Sequence, residues 1–183
     1  LTERGVVAFV GTMDAGKSTL VAALTRRGHA YVTDEAVAVV ADPDRTKPLM
    51  VESYPKPIGL DPGSWSLFPE LGAVAHPDVD ARWWLDPTAL TPDAIAVPNR
   101  SMHPLGAIVF IQYRPGTSTT LVALDPADAA LALTGNLFNL AADPPHGLVL
   151  VARVAQEQPC FRLDIGDLGG AASEIDGLIA RLG

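Results

Sequence analysis

Residues 11 to 18, Gly11-Thr12-Met13-Asp14-Ala15-Gly16-Lys17-Ser18, satisfy the pattern G-x-x-x-x-G-K-[ST] at every fixed position. These residue types suit one task, the holding of a phosphate chain. Glycines let the backbone curl so that successive N–H groups point inward, and a helix that follows at once adds the positive end of its dipole. Lys17 has the reach to neutralise β- and γ-phosphates, and Ser18 offers a hydroxyl to Mg²⁺. The expected nucleotide contacts are therefore Gly11, Asp14, Ala15, Gly16, Lys17, Ser18 and Thr19. A second chemistry-bearing pair, Asp34 and Glu35, follows 17 positions after Lys17. An acid at that place holds Mg²⁺ or accepts the proton of an attacking hydroxyl. Ser18 and Asp34 are the expected metal contacts, with Lys17, Asp34 and Glu35 as catalytic groups. An ordinary solvated turn accounts equally well for two adjacent acids taken alone.

Such groups need a scaffold, and the flanking sequence supplies one. GVVAFV, residues 5–10, is a β-branched and aromatic run that reads as a buried strand. KSTLVAALTRR gives about three helical turns, and Gly28 stands where a helix-ending glycine belongs. HAYVT then reads as a strand running into the two acids, and AVAVV resumes as strand. In such sheets ligands bind at the carboxyl ends of the strands, so acids there would sit beside the loop.

Composition changes next, with eleven of the 16 prolines falling between Pro43 and Pro104. Proline fixes φ and removes a backbone donor, so short strands and shaped loops are expected there, with edge segments or a lid. Trp65, Phe68, Trp83 and Trp84 give this segment material to pack; a disordered linker is the alternative. Regular patterns return in GAIVFIQY and TTLVAL as strands. A helix then opens at Asp125-Pro126 and carries Ala127, Ala130, Leu131, Leu137 and Phe138 as its apolar positions. A helix over 146–156, a strand CFRLDI and a closing helix from Ser173 to Leu182 complete the reading. The expected fold class is α/β: a mixed sheet with flanking helices around a phosphate loop, and a proline-rich irregular middle. Residues 1–183 form one domain, in which 43–104 serve as lid or acceptor region.

Hydrophobic content of 48% against 19% charged residues fits a folded globule, and the net charge of −8 argues against a nucleic-acid groove. The single cysteine, Cys160, excludes an internal disulfide and reads as packing. No apolar stretch approaches the roughly 18 residues a membrane span needs. LTERGVVAFVG lacks the build of a signal peptide, so a cytoplasmic location is expected, and the absent initiator methionine suggests that upstream residues are missing. His29, His76, His103 and His146 show no metal-ligand spacing and read as surface or core residues.

The loop alone does not select a chemistry. A GTPase needs a later D-x-x-G and an N-K-x-D; the only downstream D-x-x-G is Asp167-Leu168-Gly169-Gly170, and no N-K-x-D occurs. Taken together, GVVAFVGTMDAGKSTLVAALTRRGHAYVTDEAV resembles the nucleotide-binding core of HPr kinase/phosphorylase and its HPr-kinase-like relatives, a core similar to that of PEP carboxykinases. YPKPIGL, ARWWL before a proline, PLGAIVFI, LDPADAALALTGNLFN and the late PCFRLDI are similar to further segments of that family. The resemblance implies a kinase that uses ATP (GTP left open) and Mg²⁺, transferring the γ-phosphoryl group to a hydroxyl. It gives the second acid the role of base and Arg82 that of steadying the transferred group, with Lys56 and Arg100 as weaker candidates. The acid pair is Asp-Glu here where the family has Asp-Asp, and the upstream histidine strand and separate N-terminal domain are not recognisable. The likeness therefore points to the kinase-like relatives, which accompany peptide-modifying gene clusters and phosphorylate serine. The expected partner is a peptide or protein acceptor, with no nucleic acid and no membrane; a homo-oligomer is left open. A small-molecule kinase and a nucleotide-binding module without transfer are the rival readings.

Overall fold

The computed structural model describes residues 1–73, 76–77, 82–91, 97–138 and 140–182. Parts of the proline-rich middle (74–75, 78–81 and 92–96) therefore lie outside the described residues. In chain order the elements are β1 (Val6–Val10), α1 (Lys17–Arg26), β2 (Ala38–Val40), β3 (Met50–Glu52), β4 (Ile58–Leu60), α2 (Pro62–Trp65), β5 (His76–Pro77), β6 (Trp83–Leu85), β7 (Met102–Tyr113), β8 (Thr120–Ala123), α3 (Pro126–Thr134), α4 (Pro144–Glu157), β9 (Cys160–Ile165) and α5 (Leu168–Leu182). The architecture is mixed α/β, as the sequence predicts. Among the described residues no helix is long and apolar enough to cross a membrane.

A six-stranded sheet is organised on β7. The parallel neighbours of β7 are β1, from Val6↔Leu105 to Val10↔Phe110, and β9, from Ile108↔Cys160 to Tyr113↔Ile165. β3 pairs antiparallel with Met102–Pro104, β2 lies outside β3, and β8 runs antiparallel to β9. The strand period of two sends alternate residues to opposite faces. Ala8, Ile108, Phe110 and Cys160 pack with Ala129 of α3 and Val154 of α4. Val109, Ile111, Leu163 and Ile165 pack with Leu20 and Leu24 of α1 and with Ile175 and Leu178 of α5. β7 is thus buried on both faces from Ala107 to Ile111, which explains the apolar run there.

The proline-rich middle is no linker where it is described. β4, β6 and β5 form a separate three-stranded antiparallel sheet. Its core of Ile58, Leu60, Phe68, Leu71, Leu85 and Leu90 closes on Ala22 of α1 and on Tyr31. Helix α1 is consequently held between the two sheets.

Three expectations need correction. HAYVT is not a strand: it carries single bridge residues at Tyr31 and Thr33, the latter paired in parallel with Tyr54. The apolar residues that mimic a strand there enter different cores, Tyr31 that of the small sheet and Val32 that of the large one. Helix α3 stops at Thr134, so Leu137 and Phe138 lie past its end, and Phe138 is 87% exposed. The Asn136 amide donates to the Ala132 carbonyl and occupies one of the last helical acceptors, as a residue that closes a helix does. Finally, α5 begins at Leu168, five residues before Ser173, because the Asp167 carboxylate accepts from Gly170 N at 2.7 Å and caps a first turn that contains two glycines.

Candidate functional site

The chain leaves the large sheet at Gly11, where a side chain is sterically barred. A Cβ there would lie 2.7 Å from the Ile111 carbonyl oxygen. Asp14 (φ 62°) and Gly16 (φ 93°) both take the left-handed conformation, and these two reversals curl the loop over the start of α1. Gly16 caps α1 without a side-chain bond, and no acid stands in the first turn. The first N–H groups of this ten-residue helix therefore keep their capacity for an anion. Lys17 Nζ donates to the carbonyls of Gly11 at 2.8 Å and Thr12 at 2.6 Å, tying the beginning of the loop to its end.

Below the loop stand the acids. Ser18 Oγ donates to Asp34 Oδ1 and Oδ2 at 3.0 and 3.1 Å, and Asp34 is only 8% exposed. The Gly59 amide approaches Asp34 Oδ2 at 3.4 Å. Directly after Asp34 the chain reverses: Glu35 has φ 69°, and Ala36 N donates to the Asp34 carbonyl at 3.0 Å. This turn separates the acids, sending Asp34 inward to Ser18 and leaving the Glu35 side chain 56% exposed. Glu35 Oε2 accepts from Lys56 Nζ. The Lys56 carbonyl in turn accepts from Tyr31 Oη at 2.8 Å. Burial, followed by the charge of Asp34, pushes the Tyr31 phenol well above its ordinary range, so it stays a donor. Lys17, Asp34 and Glu35 line one groove, which continues along Val7 and Phe9 of β1.

Arg82 comes from the small sheet. Its Nε donates to Asp61 Oδ1 at 2.8 Å, and its guanidinium lies 5.6 Å from the Trp84 ring centroid. Trp65 and Trp83 stack beside it with centroids 4.6 Å apart. Ser64 Oγ and Thr19 Oγ1 are 2.6 Å apart, so α2 touches the first turn of α1 directly. Arg100 does not join the group: it is 82% exposed, with Glu52 at 4.0 Å.

Sequence reasoning thus finds Lys17, Ser18, Asp34 and Glu35, and the fold brings them together. It misses Tyr31, Gly59 and Ser64. Gly59 carries a readable trace, since a Cβ there would lie 3.0 Å from Arg82 Cδ and 3.2 Å from the Trp84 ring. Tyr31 and Ser64 act over 25 and 45 positions of sequence and leave no local signal.

Ser18 and Asp34 offer hard oxygens from two elements, and the described residues hold no cluster of three His, Cys, Asp or Glu side chains. Such a place suits Mg²⁺, which keeps waters and takes phosphate oxygens rather than an all-protein cage. Among the histidines, His29 Nε2 lies 2.7 Å from Asp176 Oδ1, His103 Nε2 2.7 Å from Ser101 Oγ and His146 Nδ1 2.8 Å from Asp143 Oδ2. The side chain of His76 lies outside the described residues. Cys160 is buried, and that burial pushes its thiol up to about 11, so it packs and does not react. Comparison with family models, curated proteins and solved structures finds no match to this chain.

Proposed function

We propose that the chain is a Mg²⁺-nucleotide-dependent kinase that transfers the γ-phosphoryl group of ATP or GTP to a hydroxyl, that of a serine in a peptide or protein. The observation that carries this reading is the Ser18–Asp34 contact at the start of α1, next to Lys17, which holds the loop's first carbonyls and lines one groove with Asp34 and Glu35.

The loop amides and the first turn of α1 receive the phosphate chain, and Lys17 exchanges its two carbonyl partners for phosphate oxygens. Ser18 and Asp34 would hold a Mg²⁺, which would supply neutralisation of the charge on the phosphate oxygens. Asp34, turned inward, serves that ion. Glu35, exposed at the turn, takes the acceptor's proton as the serine oxygen bonds to the γ-phosphorus. The bond from that phosphorus to the β–γ bridging oxygen breaks, and a nucleoside diphosphate leaves. Arg82, on the small sheet, steadies the transferred group or its acceptor. An extended acceptor would find side-chain contacts at exposed Tyr54 and Leu67 of the proline-rich middle.

The test is mass spectrometry of serine-containing peptides, and a parallel panel of hydroxylated metabolites, after incubation with Mg²⁺ and ATP or GTP. Phosphate on a peptide serine is the expected result. Label on a metabolite alone would make the protein a small-molecule kinase. Nucleotide binding with neither transfer nor hydrolysis would make it a binding module.

A further inference from the structure

Two lysines approach the groove, and they are stored differently. Lys17 rests on neutral carbonyls, whereas Lys56 rests on the carboxylate of Glu35. The backbone of Lys56 is fixed on every side. Pro55 and Pro57 restrict φ before and after it, Tyr31 Oη holds its carbonyl, Tyr54 bridges Thr33, and Gly59 reaches Asp34. Its side chain is 24% exposed, so the ammonium can change partners while its main chain stays in place. It stands beside the proposed ion site. Asp34 faces Ser18, and the next residue of the turn, Glu35, holds Lys56. A triphosphate brings to the neighbourhood of these carboxylates a terminal phosphate that a nucleoside diphosphate lacks. Two carboxylates and a γ-phosphate would then share one small region, and an ammonium is the group that relieves their repulsion.

We propose that Lys56 reads the γ-phosphate: it leaves Glu35 for a terminal oxygen of the bound triphosphate, which at the same moment frees Glu35 to act as base. The assignment rests on the kinase reading and adds two things to it, discrimination of triphosphate from diphosphate and a base that is unmasked only when there is a phosphoryl group to transfer.

The experiment is calorimetric titration, with Mg²⁺ present, of ADP and of a non-hydrolysable β,γ-imido ATP analogue into the wild type and into Lys56→Met, Lys56→Arg and Glu35→Gln. Lys56→Met should weaken the triphosphate analogue about tenfold or more and leave ADP within about twofold, and Lys56→Arg should restore most of the loss. Glu35→Gln, which removes the competitor for the ammonium, should tighten the analogue and leave ADP unchanged. Equal loss of both nucleotides in Lys56→Met, no loss of either, or weaker analogue binding in Glu35→Gln overturns the proposal. If Lys56→Met does not fold, Glu35→Gln still decides. A wild type that binds neither nucleotide overturns the underlying kinase reading, and that result is distinct from the others.

Discussion

The six-stranded and three-stranded sheets bring cations to the same region by different means. On the large sheet, Lys17 lies in a loop of consecutive residues and is held by two backbone carbonyls of that loop. From the proline-rich middle, Lys56 and Arg82 are each held by a carboxylate, Glu35 and Asp61. A carbonyl yields an ammonium to phosphate at small cost, while a carboxylate competes for it. On the kinase reading, the loop would take an anion as it stands, and the middle segment would respond only to a ligand with enough charge in the right place. The difference separates binding from selection.

The contrast can be tested at its foundations first. If the small sheet is a true second core, Phe68→Ala should cost about 3–5 kcal/mol in urea unfolding, because Phe68 is fully buried against Leu60, Leu71 and Leu85. A cost below about 1 kcal/mol would mean that this sheet adds little to the fold. On the other side, Lys17→Ala should leave the melting temperature nearly unchanged and lower phosphoryl transfer about a hundredfold, equivalent to ~2.7 kcal/mol. Retention of more than about a tenth of the activity would remove the loop from the chemistry.

A smaller effect, about tenfold or somewhat more in kcat, is expected for each acid, and the two should differ in kind. Asp34→Asn should raise the Mg²⁺ concentration needed for half-maximal rate, and Glu35→Gln should lower kcat without changing that requirement. Wild-type rates in both variants would sink the acid pair.

The smallest effect concerns how α1 is held from its other side. Burial raises the Asp176 carboxyl, but hydrogen bonds from His29 and Arg27 outweigh it and set the group below its ordinary 3.8. A carboxylate with a depressed folded pKa adds stability at pH above its unfolded value, and this is lost as pH falls through the lower folded value. Unfolding midpoints followed below about pH 4 should therefore fall less steeply in Asp176→Asn than in the wild type. Parallel curves would assign no stabilising role to this ion pair.

How much of this was legible depends on how local each feature is. The loop and its helix can be read because glycine, lysine and serine act within eight consecutive residues. Asp125 can be read because its carboxylate accepts from Ala127 N and Asp128 N, two and three positions on. Tyr31 and Val32 misled for a physical reason: an apolar pair reports that the chain is buried, not that its backbone is paired, and here the two residues enter separate cores. The division of labour between Asp34 and Glu35 was hidden because it depends on one left-handed residue, Glu35, which sequence gives no reason to expect in that conformation. Lys56 could be recognised only as a cation of uncertain use, since its anchor is a tyrosine 25 positions earlier.

The three tryptophans of the chain, Trp65, Trp83 and Trp84, all belong to the small sheet and the helix beside it, and the large sheet has none. Indole emission from this protein is therefore a private signal of one sheet, while far-ultraviolet dichroism is dominated by α1, α4 and α5 around the other. Trp65 follows Ser64, whose hydroxyl touches Thr19, and Trp84 lies against Arg82, so the native chain carries its own optical probe beside the first turn of α1. Loosening of the small sheet can be followed in unlabelled protein against a silent background from the rest of the molecule.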